Sequence, residues 1–287
     1  VEVVERVWNR VIVLASGAGF GGFKCVRHER ALHLATARRI EAQVAKLLDT
    51  GKIDDLRRTD DQLSRVFDLD SRSQTAAILW LRNRVLSALM LPGEPRGIES
   101  ALARCTTLGI DDAKTAFGRI ASFLSEGDLA GAAAVLPKWD ERAKGDAFYH
   151  LEAGAMLERA GDVRAVGHYQ QAFELDPELL TARVFHAELV TLELGADTAR
   201  PVVDDVVKRL GDGPLARALQ GLFWAVHSSE GEDLPDTARI AAQDRDQLPT
   251  QLLAIPFVVD ARLAARQGHT AESLSDLDRA LRVAATP

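Results

Sequence analysis

Residues 146–177 read DAFYHLEAGAMLERAGDVRAVGHYQQAFELDP, and their pattern determines most of what can be predicted about the architecture. In the second half, Ala165, Tyr169 and Ala172 lie four and three residues apart, so a helix places all three on one face. Gly161 precedes them, and glycine readily adopts the left-handed conformation that ends one helix and lets the chain reverse. The pattern therefore predicts two helices joined by a tight turn.

The last two residues of this unit, Asp176 and Pro177, predict the start of another helix. An aspartate at the N-cap accepts hydrogen bonds from the free backbone amides of the first turn. Proline is favoured at the first helical position because its φ angle already suits a helix. We therefore expect a third helix to follow directly, with Asp176 as its N-cap.

Glycines in turn-like positions recur along the whole chain. They are Gly51, Gly93, Gly127, Gly161, Gly195, Gly231 and Gly268, with successive separations of 42, 34, 34, 34, 36 and 37 residues. A spacing near 34 is typical of stacked helix–turn–helix units. We predict seven hairpins, over 24–67, 73–107, 111–141, 146–175, 178–210, 214–243 and 249–285.

The unit around Gly161 resembles the tetratricopeptide repeat family. The matching positions are a small residue in the first helix, a turn glycine, an Ala–aromatic–Ala pattern in the second helix and a final Asp–Pro: Gly154, Gly161, Ala165, Tyr169, Ala172, Asp176 and Pro177. One unit is close to the family pattern and the others are degenerate; Pro201, for example, falls in a helix interior. The resemblance implies an all-α, right-handed superhelical solenoid over residues 24–287.

The resemblance also implies a function and a set of binding residues. In this family the concave surface, lined by first helices, binds a peptide or a partner helix. Candidates on the first helices of the best-defined units are His150, Arg159, Arg183 and His186. The alternative for each of them is ordinary surface exposure.

Charge limits the classes of partner. The formal net charge is −7, which argues against broad nucleic-acid binding because phosphate contacts require an excess of Lys and Arg. Residues 1–44 contain seven Lys/Arg and four Glu, a balance of +3, which leaves −10 for the rest. This basic end would suit an acidic partner or a phospholipid surface; a solvated helix face is the alternative.

The N-terminal segment, residues 1–23, is an extra helical and apolar element with three interpretations. We favour docking onto protein, because small residues four apart let another helix approach closely; the candidate contacts are Trp8, Val11, Leu14, Gly19 and Phe20. A peripheral membrane anchor is the second interpretation, since residues 11–23 carry no charge. The third is a nucleotide-dependent oxidoreductase that uses the GAGFGG stretch as a dinucleotide fingerprint, which would need a βαβ unit.

Catalytic and metal-binding motifs are not evident. His28 and His33 are five residues apart, not the four of a helical zinc pair. Cys105 falls at a small, buried position of its repeat, which favours a structural role. We therefore expect no cofactor and no metal, and a non-catalytic scaffold that binds a protein or peptide within a larger assembly. Cytoplasmic localisation is expected, with membrane association left open.

Overall fold

The described part of the chain is built from α-helices. A computed structural model describes residues 21–50, 53–90, 97–228, 248 and 252–284. These residues form thirteen α-helices and one short 3₁₀-helix and contain no β-strand, which confirms the prediction of an all-α chain. The helices are α1 (Gly21–Thr50), α2 (Ile53–Leu69), α3 (Gln74–Met90), α4 (Ile98–Thr107), α5 (Ala116–Ser125), α6 (Leu129–Ala143), α7 (Ala147–Arg159), α8 (Ala165–Leu175), α9 (Leu180–Glu193), α10 (Ala196–Leu210), α11 (Pro214–His227), α12 (Ile255–Arg266) and α13 (Thr270–Ala284), with the 3₁₀-helix at Asp112–Thr115.

Consecutive helices pack in pairs, and each pair packs on the next. The pairs are α1 with α2, α3 with α4, α5 with α6, α7 with α8, α9 with α10 and α12 with α13. The second helix of a pair also contacts the first helix of the following pair, as α8 does with α9 and α10 with α11. The architecture is therefore helical and repeat-like. The second half of the sixth predicted hairpin, residues 231–243, lies outside the described residues.

The predicted unit around Gly161 forms a well-packed layer. Ala165, Tyr169 and Ala172 are all buried, as the helical spacing predicts. The Tyr169 ring packs on the Phe185 ring of α9, with 5.7 Å between centroids. Gly154 makes room for that ring, because a Cβ atom there would lie 2.7 Å from two Tyr169 ring carbons.

One turn glycine agrees with the prediction and two other turn residues differ from it. Gly161 has a φ of +68°, as a left-handed turn requires. Gly195, however, has a φ of −71° and is the N-cap of α10, because α9 ends at the extended Leu194 and needs no left-handed residue. Asp176 ends α8 and accepts a hydrogen bond from the backbone amide of Glu178; the N-cap of α9 is Leu179, so the predicted capping role was wrong.

Helix α1 contacts more than its neighbours in sequence. It packs on α2 and α3 and also on α9, four pairs further along the chain. At its C-terminal end, burial raises the pKa of Asp49 to about 6; the charge of Asp176 adds to this rise and that of Arg82 opposes it. The C-terminal end of α1 therefore lies close to the turn between the fourth and fifth pairs.

The N-terminal predictions fall largely outside the described residues. Trp8, Val11, Leu14, Gly19 and Phe20 are not described, so their docking and membrane roles stay predictions. Residues 21–23, which the sequence assigned to the glycine-rich segment, belong to α1. None of the helices described here has the length and apolar character needed to cross a lipid bilayer.

Candidate functional site

A cleft between α8 and α10, with α9 beneath it, brings two of the predicted binding residues together. Its volume is about 250 Å³. The lining residues are Phe173, Arg183, His186, Pro201, Val202, Asp205 and Val206. This volume is below that of most small-molecule pockets, roughly 300–1,000 Å³, and suits one large side chain.

Arg183 is held in the cleft by contacts to three sides. Its guanidinium carbon lies 4.6 Å from the centre of the Phe173 ring, within cation–π distance. Its Nε donates to the Pro177 carbonyl oxygen at 3.1 Å. Nη1 lies 3.6 Å from the Asp205 carboxylate, which accepts a shorter hydrogen bond, 3.0 Å, from Arg209. Arg183 is therefore oriented but only loosely paired with Asp205.

His186 adds a buried imidazole to the lining of the cleft. The residue is 8% exposed, and its ring meets Phe173 edge-on with 5.1 Å between centroids. Burial lowers the pKa of His186, and the positive charge of Arg183 lowers it further, while Glu174 opposes the shift. The imidazole is therefore neutral at neutral pH, and within the described chain its Nδ1 has no hydrogen-bond partner.

The cleft combines apolar, aromatic and polar groups in a small space. Phe173 and Val202 offer apolar surface, and Arg183 offers hydrogen-bond donors. Such a site suits a partner side chain that is apolar and lies next to a carboxylate or carbonyl oxygen.

His150 lies in another contact, between α6, α7 and α8. It is 4% exposed, and its Nδ1 lies 3.1 Å from Nδ1 of His168, while its Nε2 lies 3.0 Å from the Lys144 carbonyl oxygen. A carbonyl accepts only, so Nε2 of His150 carries a proton and donates to it; Nδ1 of His150 can then accept from Nδ1 of His168. Both rings are therefore internal contacts in this arrangement.

This geometry predicts an acid-dependent loss of stability. The pKa of His168 is lowered, mainly by burial and then by the charge of His150, with Asp140 opposing. The ordinary pKa of histidine is about 6.5. A histidine whose pKa is lowered in the folded state supports the stability of the fold above that pH, and this contribution is lost as the pH falls below it. We expect the urea midpoint of the unmodified chain, measured relative to that of His168→Asn, to fall between pH 7.5 and 5, because asparagine keeps a donor but does not titrate.

A matched control for this prediction is His33→Asn, because His33 is exposed on α1. Its midpoint should follow the unmodified chain at every pH. If both variants showed the same pH dependence, the paired histidines would not be the source of the acid sensitivity.

Arg159 is exposed and does not line the cleft. Its Nη1 donates to the Leu124 carbonyl oxygen at 3.0 Å. With Glu152 it borders a cavity of about 10 Å³ between α3, α5 and α7. Arg159 and His150 are thus separate from the pair formed by Arg183 and His186, and no observation tests any of the four for partner binding.

Sequence reasoning missed the other residues of the cleft. Phe173 comes four residues after Tyr169 and so extends its helical face towards α9. Pro201 was the one visible irregularity, since proline is disfavoured inside a helix, yet α10 continues through it. Asp205 carried no signal beyond its charge.

Cys105 and the histidines give no indication of a reactive centre in the part of the chain that is described. Cys105 is 1% exposed, as predicted, and its Sγ lies 3.6 Å from the Ala77 carbonyl oxygen. Burial raises the pKa of the Cys105 thiol to about 11, so it is not ionised at neutral pH. The described residues contain no group of three or more His, Cys, Asp or Glu side chains placed to hold a metal ion.

Comparisons with models of protein families, with curated proteins and with solved structures find no match to this chain.

Proposed function

We propose that this chain is a non-catalytic scaffold for protein–protein interaction, built as a tetratricopeptide-like, right-handed α-solenoid and acting within a larger assembly. Support comes from the repeated packing of each helix pair on the next. Stacked pairs of this kind present extended surfaces that neighbouring layers hold rigid. A rigid surface binds a partner with little loss of conformational entropy.

The cleft is the observation that carries this proposal. Arg183 and His186 come from a first helix, as predicted, and they face the gap between two second helices. A partner segment would insert one apolar side chain against Val202 and Phe173, and an adjacent carboxylate or carbonyl oxygen would accept from Arg183. Asp205 would remain paired with Arg209, so that the cleft keeps its charge balance.

Filling the cleft should abolish partner binding without unfolding the chain. Val202 is half-buried on the cleft wall, and Val202→Trp would occupy much of the space that the partner needs. We expect the partner recovered by affinity purification of the intact protein, identified by mass spectrometry, to be reduced at least tenfold with this variant.

Lys208→Trp is the matched control, because Lys208 is exposed on the same helix and does not line the cleft. The control should recover the partner as the unmodified chain does, and thermal unfolding should show that both variants are folded. Recovery of the same proteins with all three chains would refute the cleft as the binding site.

A further inference from the structure

The N-terminal half of α1 projects from the body of helix pairs. Residues 28–36 are exposed, apart from the half-buried Leu34. Among the described side chains of α1, that of Ala37 is the first to be buried. Because an α-helix rises about 1.5 Å per residue, Gly21 lies roughly 24 Å from Ala37. The described side chains of this half are therefore open to solvent on nearly all sides of the helix.

This end of the protein is basic, whereas the rest of the chain is acidic. Residues 24–39, the basic segment, contain five Lys/Arg and one Glu, a balance of +4: Lys24, Arg27, Glu29, Arg30, Arg38 and Arg39. Residues 1–23 are neutral, with two Arg and two Glu, so residues 40–287 carry −11. Clusters of about four to eight Lys/Arg on a helix are typical of proteins that bind anionic lipids.

The arginines of the basic segment have their charges available for a partner. Arg30, Arg38 and Arg39 are exposed, and within the described chain none of their side chains forms an ion pair or a hydrogen bond. Arg142, in contrast, pairs with Asp111 at 2.9 Å. An unpaired guanidinium keeps all its donors for an external acceptor such as phosphate or carboxylate. The basic segment is therefore equipped to bind an anionic partner.

Two further features favour a lipid surface over an acidic protein. Residues 11–23, directly before the basic segment, carry no charge, and a phospholipid interface takes up apolar residues beside basic ones. Anionic headgroups would repel the acidic body, but such repulsion is screened beyond about 8 Å at physiological salt, and the projection of α1 is longer than that. A lipid surface thus accounts for the charge, its uncharged neighbour and the separation, whereas an acidic protein accounts for the charge alone.

We propose that the basic segment binds the anionic headgroups of a phospholipid membrane, with the N-terminal end of α1 directed towards the membrane and the body of helix pairs held in the water. Arg30 lies within the projecting half, and Arg38 and Arg39 lie at its base. Lys46 is about 24 Å from Arg30 along the helix axis and lies outside the contact. This binding goes beyond the scaffold function and does not depend on the cleft, which other helices form.

Binding of the full chain to vesicles tests this proposal. Co-sedimentation should show binding to phosphatidylcholine vesicles that contain about 30% phosphatidylserine, roughly tenfold weaker binding to phosphatidylcholine alone, and weaker binding at high salt. The variant carrying Arg30→Gln, Arg38→Gln and Arg39→Gln should bind the mixed vesicles about twentyfold more weakly or worse, since each basic residue near an anionic surface contributes roughly fivefold.

A matched control removes three charges elsewhere. Arg58, Lys208 and Arg262 are exposed on α2, α10 and α12, and their replacement by glutamine gives the same net charge. This control should bind within about twofold of the unmodified chain, because these side chains are not in the contact. Two single variants locate the contact: Arg30→Gln should weaken binding roughly fivefold, and Lys46→Gln by less than about twofold.

Four results would overturn the proposal. If the chain bound neither kind of vesicle, the basic segment would serve an acidic protein or solvent, and a protein lost from affinity purification with the triple variant would identify the former. Equal binding to both kinds of vesicle would assign attachment to the uncharged residues 11–23. Equal losses in the triple variant and its control would show a dependence on net charge alone. Equal losses in Arg30→Gln and Lys46→Gln would place the contact outside the projecting half.

Folding of these variants is expected. All the substituted positions are exposed on helices, and glutamine is a good helix former. Far-ultraviolet circular dichroism checks that the helix content is unchanged.

Discussion

Replacing Tyr169 with alanine is expected to lower the free energy of unfolding by about 3–5 kcal/mol, the range for removal of a buried aromatic ring. The ring is fully buried between Gly154 and Phe185, and its hydroxyl donates to Glu158 at 2.5 Å. The variant therefore loses apolar burial, leaves a cavity and removes one hydrogen bond of the Glu158 carboxylate. Urea unfolding followed by circular dichroism measures the loss.

The control for this change is Leu175→Ala, at an exposed leucine that ends the same helix. We expect it to cost less than about 1 kcal/mol, because little apolar area is lost from the interior. Similar losses in the two variants would mean that the contact between α8 and α9 is not a main source of stability.

A double-mutant cycle tests whether a glycine at position 154 is needed to accommodate the Tyr169 ring. Gly154→Ala places a Cβ atom 2.7 Å from two ring carbons and should cost about 1–3 kcal/mol. In the Tyr169→Ala background the obstructing atoms are gone, so the same change should cost little. Gly167→Ala, at an open helical position of α8, should instead stabilise by about 0.5–1 kcal/mol. Additive losses would contradict the steric account.

This contact also shows how far the sequence predicts the fold. The spacing of Ala165, Tyr169 and Ala172 fixed the buried face of α8 in advance, and the glycine period located most helix pairs. These signals are local, because one helical turn or one chain reversal is set by residues a few positions apart.

The cleft and the contact of α1 with α9 could not be predicted from local sequence patterns. Phe173, Arg183 and Asp205 belong to three helices, and their distances depend on how those helices pack. Helix α1 meets α9, which lies four pairs further along the chain. No short pattern in a single sequence records such a long-range contact.

The sequence around Glu152 indicates that this residue is buried. Residues 147–157 of α7 are all buried, and their sequence AFYHLEAGAML is apolar on every side. A helix of that kind is packed all round. The pattern therefore places Glu152, the only carboxylate in residues 147–157, in the interior, where an ionised group is costly.

Replacing Glu152 with glutamine is expected to stabilise the protein increasingly as pH rises. Glu152 is 1% exposed, and burial raises its pKa to about 8, although the charge of Arg159 opposes this. In the unfolded chain the pKa is close to 4.5. The folded state therefore keeps the proton to higher pH, and this contribution to stability, complete below pH 4.5, is lost progressively as pH rises towards 8.

The size of the effect follows from linkage between protonation and folding. A pKa difference of one unit corresponds to about 1.4 kcal/mol, so the loss at pH 7 is roughly 3 kcal/mol. The amide of glutamine has nearly the same shape and does not ionise. The difference in free energy of unfolding, Glu152→Gln minus the unmodified chain, should rise by roughly 2–3 kcal/mol from pH 5 to pH 7.5.

Subtracting the two free energies of unfolding cancels the contributions of the other groups that titrate in the same pH range, because His168 and Asp49 are present in both chains. Glu126→Gln, at an exposed carboxylate, should give a difference that is nearly independent of pH. A flat curve for Glu152→Gln would mean that the carboxylate is ionised and compensated inside the fold. The bordering cavity of about 10 Å³ has room for about one water molecule. One water and Arg159 would then have to replace the whole solvation of the charge, and the slope of the curve distinguishes that case from a proton held by burial.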